Sequence, residues 1–196
     1  MLGPAAVSIC SRRAVAPVHR LVPAAAAGVR PAPVPGGSRG WHIGEHRRVK
    51  VQVAGVIRCL GQGQGSVLLV DHRKAGLWLP TGGHVEPGEH PAATVRREVR
   101  EELGVEAVFS PVTGESPMFV TVTATNSAAG RHTDVSLWFV LTGRTGQPLA
   151  PDPREFPAAR WWTRAGIGRA DPALFEPHLN RMLGKFDHAR TTGYGA

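Results

Sequence analysis

The pattern of hydrophobic and polar positions along the chain predicts more strands than helices. Residues 51–60, VQVAGVIRCL, are apolar and β-branched, and GQGQGS at 61–66 is typical of a turn leading into a second strand at 67–70. Further strand-like runs occupy residues 108–112, 118–125, 134–142 and 157–163. Because strands and helices alternate in mixed order, the pattern predicts an α/β fold with a mixed sheet and helices packed on it.

Two segments carry the spacing of amphipathic helices. The first, residues 91–103, has Pro91 in its first turn and Gly104 just after its end, which suits a helix start and stop. Its apolar stripe consists of Ala92, Val95, Val99 and Leu103. The second spans residues 171–186, where Pro177 is an unfavourable residue for the first turns. Its stripe consists of Leu174, Phe175, His178, Leu179, Met182 and Phe186.

Composition separates the N-terminal residues from the rest of the chain. The chain has 196 residues and a formal charge of +8, but residues 1–44 hold five arginines and no acid, which leaves a charge of only +3 for the rest. We therefore expect a disordered Ala/Pro/Arg-rich extension at 1–44, a single domain at 45–190 and a flexible tail at 191–196. Nucleic-acid binding is not expected, because the excess charge belongs to the extension.

Other composition features exclude further classes of protein. The two cysteines lie far apart in no metal-like spacing, so a disulfide scaffold and a zinc ribbon are excluded. No run approaches 18 apolar residues, so we expect no membrane span. We expect a cytoplasmic protein; the acid-free, arginine-bearing extension also resembles an organelle transit peptide, which is the alternative.

Three carboxylates stand together on the first predicted helix. Glu98, Glu101 and Glu102 are spaced i, i+3 and i+4, so their side chains share one helix face. Two interpretations are open at this point. Interleaved arginines could neutralise an exposed face, or a hard divalent cation such as Mg²⁺ could neutralise the cluster. The arginines are Arg96, Arg97 and Arg100.

The spacing upstream of the glutamates favours the cation. Gly83, Glu89 and Arg97 extend the pattern to G-x5-E-x7-R-E-V-x-E-E-x-G-V over residues 83–105. This segment resembles the Nudix box, G-x5-E-x7-R-E-U-x-E-E-x-G-U with U bulky aliphatic, at each specified position. The order of strands from Lys50 to Phe186 is also similar to that of Nudix proteins. The resemblance implies a mixed sheet between helices with a loop–helix–loop catalytic motif.

The resemblance also implies roles for the matching residues. In Nudix enzymes the glutamates that match Glu98, Glu101 and Glu102 hold Mg²⁺ or Mn²⁺, and the first of them is a candidate general base in MutT-like members. The carbonyl that matches Gly83 is often a further ligand. The arginine matching Arg97 commonly pairs with the residue matching Glu89, so we interpret Arg97 as orienting and Glu89 as orienting or metal-binding.

The activity implied by the resemblance is hydrolysis of a nucleoside diphosphate linked to another moiety, by attack of water at phosphorus. The box binds the diphosphate that such substrates share, so it does not select the nucleotide. A non-catalytic ligand sensor, an isopentenyl diphosphate isomerase and an RNA-directed, decapping-like hydrolase are the alternatives. A homodimer is common in the family.

Outside the box the candidate residues are fewer. Glu155, before a Trp-Trp strand, is a candidate for a further metal ligand, with an ordinary loop glutamate as the alternative. Trp78, His84 and Arg131 are candidates for substrate binding, although core packing is favoured for Trp78. Thr81 stands where many similar sequences have proline before the two glycines, and we expect this departure not to touch the metal ligands.

Overall fold

The computed structural model describes residues 22–23, 48–59, 65–127 and 130–193. Apart from Val22–Pro23, the extension at 1–44 lies outside the described residues, as do residues 194–196, so the predicted disorder of both ends stays a prediction. Val22–Pro23 forms a short strand, β1, that pairs antiparallel with Ala124 and Thr123.

A mixed sheet of eight strands forms the centre of the described part of the chain. The strands after β1 are β2 (Arg48–Cys59), β3 (Ser66–His72), β4 (Leu77–Leu79), β5 (Val108–Phe109), β6 (Phe119–Ser127), β7 (Gly130–Thr142) and β8 (Ala159–Thr163). The main order is β1-β6-β7-β2-β3-β4, with β5 also on β7 and β8 also on β3. The long β2–β7 pair is parallel and the other pairs are antiparallel, which confirms the predicted mixed α/β sheet and the β2–β3 hairpin.

Three α-helices and one 3₁₀ turn complete the described residues. They are α1 (Pro91–Leu103), α2 (Arg164–Arg169), the 3₁₀ turn Pro172–Leu174 and α3 (Leu179–Thr192). None of these helices is long and apolar enough to cross a membrane. The single helix predicted over 171–186 is wrong in its first turns, because Pro177 lacks an N–H and disfavours helical backbone in the residue before it. The helix that does form begins at Leu179 and continues to Thr192, into the segment predicted as tail.

Helix α1 has the bounds that its sequence predicts. The His90 ring caps its first turn by accepting a hydrogen bond from the Ala92 amide through Nδ1 (3.2 Å). Gly104 ends it with φ +69°, in the left-handed region, and its N–H bonds to the Arg100 carbonyl. The predicted apolar stripe of Ala92, Val95, Val99 and Leu103 is buried.

The core lies in two layers, one on each face of the sheet. The α1 stripe packs with Val53, Ile57 and Phe139 on one face. The α3 residues Leu179, Met182 and Phe186 pack with Val56 and Trp138 in the other layer. Alternate residues of β2 enter opposite layers, as the two-residue period of a strand requires. The sheet therefore lies between helices, and α1 is fixed with its other side free to face a cleft.

Candidate active site

The loop between β4 and α1 runs along β2 and is held there by backbone hydrogen bonds. The amides of Val53 and Gly55 donate to the carbonyls of Gly83 (2.9 Å) and Thr81 (2.7 Å). This approach leaves no room for side chains at the two glycines. A Cβ at Gly82 would overlap the Val53 carbonyl, and a Cβ at Gly83 would overlap the Glu98 carboxylate. Gly82 is thus required for the loop to approach β2, because its clash would be with backbone, whereas a side chain at Gly83 would displace the Glu98 carboxylate.

An acidic cleft of about 660 Å³ opens where this loop, α1, the β3–β4 turn and the loop before β8 meet. Its acidic lining residues are Glu86, Glu98, Glu101, Glu102, Asp152 and Glu155. The three box glutamates therefore face the same space as the predicted outlying candidate Glu155. Among the described residues that line the cleft, Lys74 is the only lysine or arginine. The lining therefore carries a large excess of negative charge.

Burial changes the proton affinity of two of these glutamates. Burial raises the pKa of Glu102 to about 7, and it outweighs the hydrogen bonds that Glu102 Oε2 accepts from the Thr81 hydroxyl and the Gly82 amide. Burial also raises the pKa of Glu98, against the opposing effect of a hydrogen bond from Arg97. Burial thus disfavours the ionised form of both carboxylates, which a bound cation would favour.

Arg97 joins the loop to α1. Its Nε and Nη2 donate to the two carboxylate oxygens of Glu89, each at 3.0 Å, and Nη2 also donates to the His84 carbonyl (3.2 Å). Its Nη1 contacts Glu98 Oε1 at 2.7 Å and Glu101 Oε2 at 3.3 Å. The Arg97 hydrogen bonds, with one from Thr94, lower the pKa of Glu89 to about 2. Glu89 is thus engaged with the loop and with Arg97, which agrees with an orienting role.

The donor set suits a hard divalent cation, although the side chains are not gathered around one. Among the described residues, no three His, Cys, Asp or Glu side chains are grouped so as to hold a metal ion. Arg97 Nη1 lies against both Glu98 and Glu101 and supplies positive charge there. The chemistry still fits, because carboxylate oxygens are the ligands that Mg²⁺ and Mn²⁺ prefer, and the missing Cβ of Gly83 keeps space beside Glu98. The Gly83 carbonyl already accepts a hydrogen bond from Val53, so only its second lone pair is available to a cation.

The predicted residues outside the box have different locations. Glu155 lines the cleft, with its carboxylate 3.8 Å from His72 Nε2, and His84 lines the cleft from the loop. Trp78 is partly buried and packs edge to face on Trp162, with ring centroids 5.2 Å apart, against the core layer of α3. Its location supports the core-packing alternative over substrate binding. Arg131 lies in β7, but its side chain is outside what the structure describes.

Two features of the site are not evident from sequence reasoning. Lys74 lies in the turn between β3 and β4 and reaches the cleft, but the short strand β4 is not predicted, so the turn is not recognised as part of the site. Its position in a polar loop is the only sequence signal. Thr81 contacts the predicted ligand Glu102 directly, so the expectation that this departure from proline does not touch the ligands is wrong.

Sequence comparisons agree with the box. The family model described as NUDIX domain matches residues 49–183. An uncharacterized Nudix hydrolase, orf19, from Rhodococcus erythropolis is 36% identical over 111 residues, covering 54% of this chain and 57% of that protein. Nucleoside triphosphatase NudI from Salmonella heidelberg is 46% identical over 57 residues, covering 26% and 40%. The chain thus spans about half the length of the curated relatives it matches.

Solved structures share the fold. The MutT protein from Methanosarcina mazei superimposes with a TM-score of 0.56 at 20% identity, covering 76% of this chain and 99% of that one. The NUDIX domain of Shewanella oneidensis NrtR, solved with ADP ribose, gives a TM-score of 0.54 at 20% identity, covering 76% and 91%. At these identities the likeness shows the fold alone. With the family model matching more than half of its length, the chain belongs to the Nudix family.

Proposed function

We propose that this protein is a divalent-metal-dependent pyrophosphohydrolase, which hydrolyses a nucleoside diphosphate linked to another moiety. The observation that carries the proposal is the meeting of Glu98, Glu101, Glu102 and Glu155 in the lining of one acidic cleft. An acidic cleft by itself repels a phosphate substrate, so the arrangement is productive only when cations neutralise it. Glu98 and Glu102 also differ from ordinary surface glutamates, because burial raises the pKa of both.

The proposed metal-binding residues are Glu98, Glu101 and Glu102, with the Gly83 carbonyl and Glu155 as further donors and Glu89 as a weaker one. When bound, Mg²⁺ or Mn²⁺ supplies positive charge that offsets the charge of the phosphate oxygens. Arg97 orients Glu98 and Glu101 through its Nη1 contacts.

The reaction is attack of water on phosphorus, with a new P–O bond to the water oxygen and cleavage of the anhydride P–O bond. Either Glu98 or Glu155 accepts the proton of the attacking water, and the phosphate-bearing group leaves. Lys74 lines the same cleft as the glutamates, and we assign it to a substrate phosphate oxygen. His84 lines the same space and is a second candidate for substrate contact.

The proposed substrate class is nucleotides and nucleoside diphosphate derivatives. It is supported by the name of one relative, a nucleoside triphosphatase, and by the ADP ribose bound to the NrtR Nudix domain. A cytoplasmic location and a homodimer stay predictions from the sequence.

The test is a turnover screen with Mg²⁺ and then Mn²⁺, covering nucleoside triphosphates, oxidised nucleotides, nucleotide sugars, dinucleoside polyphosphates and NADH. Glu102→Gln removes one carboxylate charge from the cleft. Glu106→Gln is the matched control, because Glu106 is exposed and bonded to Arg100 outside the cleft. We expect turnover of at least one class to fall at least about 100-fold in Glu102→Gln, since a metal contributes several kcal/mol to catalysis. The control should match the unmodified protein.

Two outcomes would overturn the proposal. The first is binding of a nucleotide without turnover of any class in either metal, which would favour a ligand sensor. The second is equal turnover in Glu102→Gln and Glu106→Gln, which would place the chemistry elsewhere. Cleavage of capped RNA but not of small nucleotides would instead support the decapping-like alternative.

A further inference from the structure

Thr81 is a buried residue whose hydroxyl is bonded to a carboxylate of the acidic cleft. Only 3% of its surface is exposed, and its Oγ1 donates to Glu102 Oε2. The Gly82 amide donates to the same oxygen at 3.1 Å. Two adjacent donors from the loop thus hold one oxygen of Glu102.

The backbone and the methyl group of Thr81 are both fixed by β2. Its carbonyl accepts a hydrogen bond from the Gly55 amide at 2.7 Å. Its Cγ2 lies beside Gly55, so closely that a Cβ at Gly55 would be 3.3 Å from it. With the backbone and the methyl group both confined, the hydroxyl has little freedom to turn away from Glu102.

We propose that Thr81 is a positioning residue, which holds the Glu102 carboxylate in place for a divalent cation through the hydroxyl–Oε2 hydrogen bond. The inference rests on the proposed function, since it concerns metal binding by Glu102. A proline at position 81 would have no hydroxyl, and the Gly82 amide would then be the remaining loop donor to Glu102. In this chain the orientation of Glu102 therefore depends on a side chain that the box pattern does not include.

The physical basis is preorganisation of a ligand by its outer partner. A carboxylate already held by the protein loses less conformational freedom when a cation binds. Outer partners of metal ligands typically change metal affinity about 10–100-fold when they are removed. We expect an effect of that size from losing the Thr81 hydroxyl.

The experiment measures Mn²⁺ binding to the full-length protein by calorimetry, with no substrate present. Thr81→Val keeps the shape of the side chain and removes the hydroxyl, and Thr81→Ser restores the hydroxyl. Thr113→Val is the matched control, because Thr113 is similarly buried but lies outside the cleft. We expect about 10–100-fold weaker Mn²⁺ binding in Thr81→Val, near-normal binding in Thr81→Ser and no change in Thr113→Val.

A packing effect would give a different result. If Thr81→Val fails to fold, Thr81→Ala removes the hydroxyl without placing a methyl group against the Glu102 carboxylate, and its comparison with Thr81→Ser decides. Unchanged Mn²⁺ binding in the folded hydroxyl-free variant would overturn the proposal, as would equal losses in the serine variant. If Glu102→Gln also leaves Mn²⁺ binding unchanged, the proposed metal site itself is wrong, which separates failure of the function from failure of the inference.

Discussion

The charged side chains on the two sides of α1 differ in their ion pairing and in their burial. On the outer side, Arg100 pairs with Glu106 and Arg96 pairs with Glu115, and all four side chains are well exposed. These pairs lower the pKa of both Glu106 and Glu115. On the cleft side, only 13% of the Glu98 side chain is exposed, and burial raises the pKa of both Glu98 and Glu102.

The two sides of α1 differ in whether each carboxylate has an arginine of its own. The outer carboxylates have their own arginines, so they need no ligand. Glu98 and Glu101 share one arginine, Arg97, whose Nε and Nη2 are committed to Glu89, while the hydrogen bonds described for Glu102 come from Thr81 and Gly82. The outer arginines of α1 are thus paired with Glu115 and Glu106, whereas the three glutamates of α1 itself face the cleft, where the proposed cation would bind.

After Glu102→Gln, the substitution Arg97→Ala should have the largest effect on the cleft side of α1. Arg97→Ala leaves Glu89 without its two-point partner and frees Glu98 and Glu101 from their common donor. We expect turnover to fall about 10–100-fold, as for other outer partners of metal ligands, and the urea midpoint to decrease. Arg97→Lys should recover part of the loss, because lysine keeps the charge but not the two-point geometry.

The matched control for Arg97 is Arg100→Ala, one turn of α1 away, whose ion pair lies outside the cleft. Equal turnover in the two alanine variants would contradict the orienting role of Arg97.

The burial of Glu102 should make the stability of the protein depend on pH. Burial raises the pKa of Glu102 to about 7 from an ordinary value of 4.5, so between these values the folded protein binds more protons than the unfolded one. When a chelator removes divalent metal, the free energy of unfolding should therefore fall as the pH rises from 4.5 through 7. It should stay low above that range. Glu102→Gln should reduce this slope, and added Mn²⁺ should restore stability at the upper end.

Urea unfolding at several pH values measures this effect as the difference between the unmodified protein and Glu102→Gln. An identical pH dependence in the two proteins would show that Glu102 titrates normally.

The smallest effect is expected on the outer side. Both partners of the Arg100–Glu106 pair are more than half exposed, and such pairs contribute little because water screens them. We expect Glu106→Gln to leave both turnover and the thermal midpoint unchanged within error. A loss comparable to that of Glu102→Gln would mean that the two sides of α1 are not functionally distinct.

Local patterns predicted much of the fold and the centre of the site. Helix α1 has its predicted bounds, because Pro91 and Gly104 set its ends through backbone chemistry that neighbours do not change. The prediction of a helix over 171–186 was wrong at its start. Pro177 breaks the first turns, and the chain forms a short 3₁₀ turn there instead. The three-residue strand β4 is too short to give a periodic signal.

By itself the sequence determined the box, its helix and the sharing of one face by three glutamates, because these depend on spacing along a single element. Only the tertiary structure decided which space that face meets. It brought Glu155 and Lys74 to the cleft, packed Trp78 against the core and put the Thr81 hydroxyl on Glu102. These contacts join residues far apart in the chain, and their geometry is set by the packing of loops against β2 and β3, which spacing does not encode.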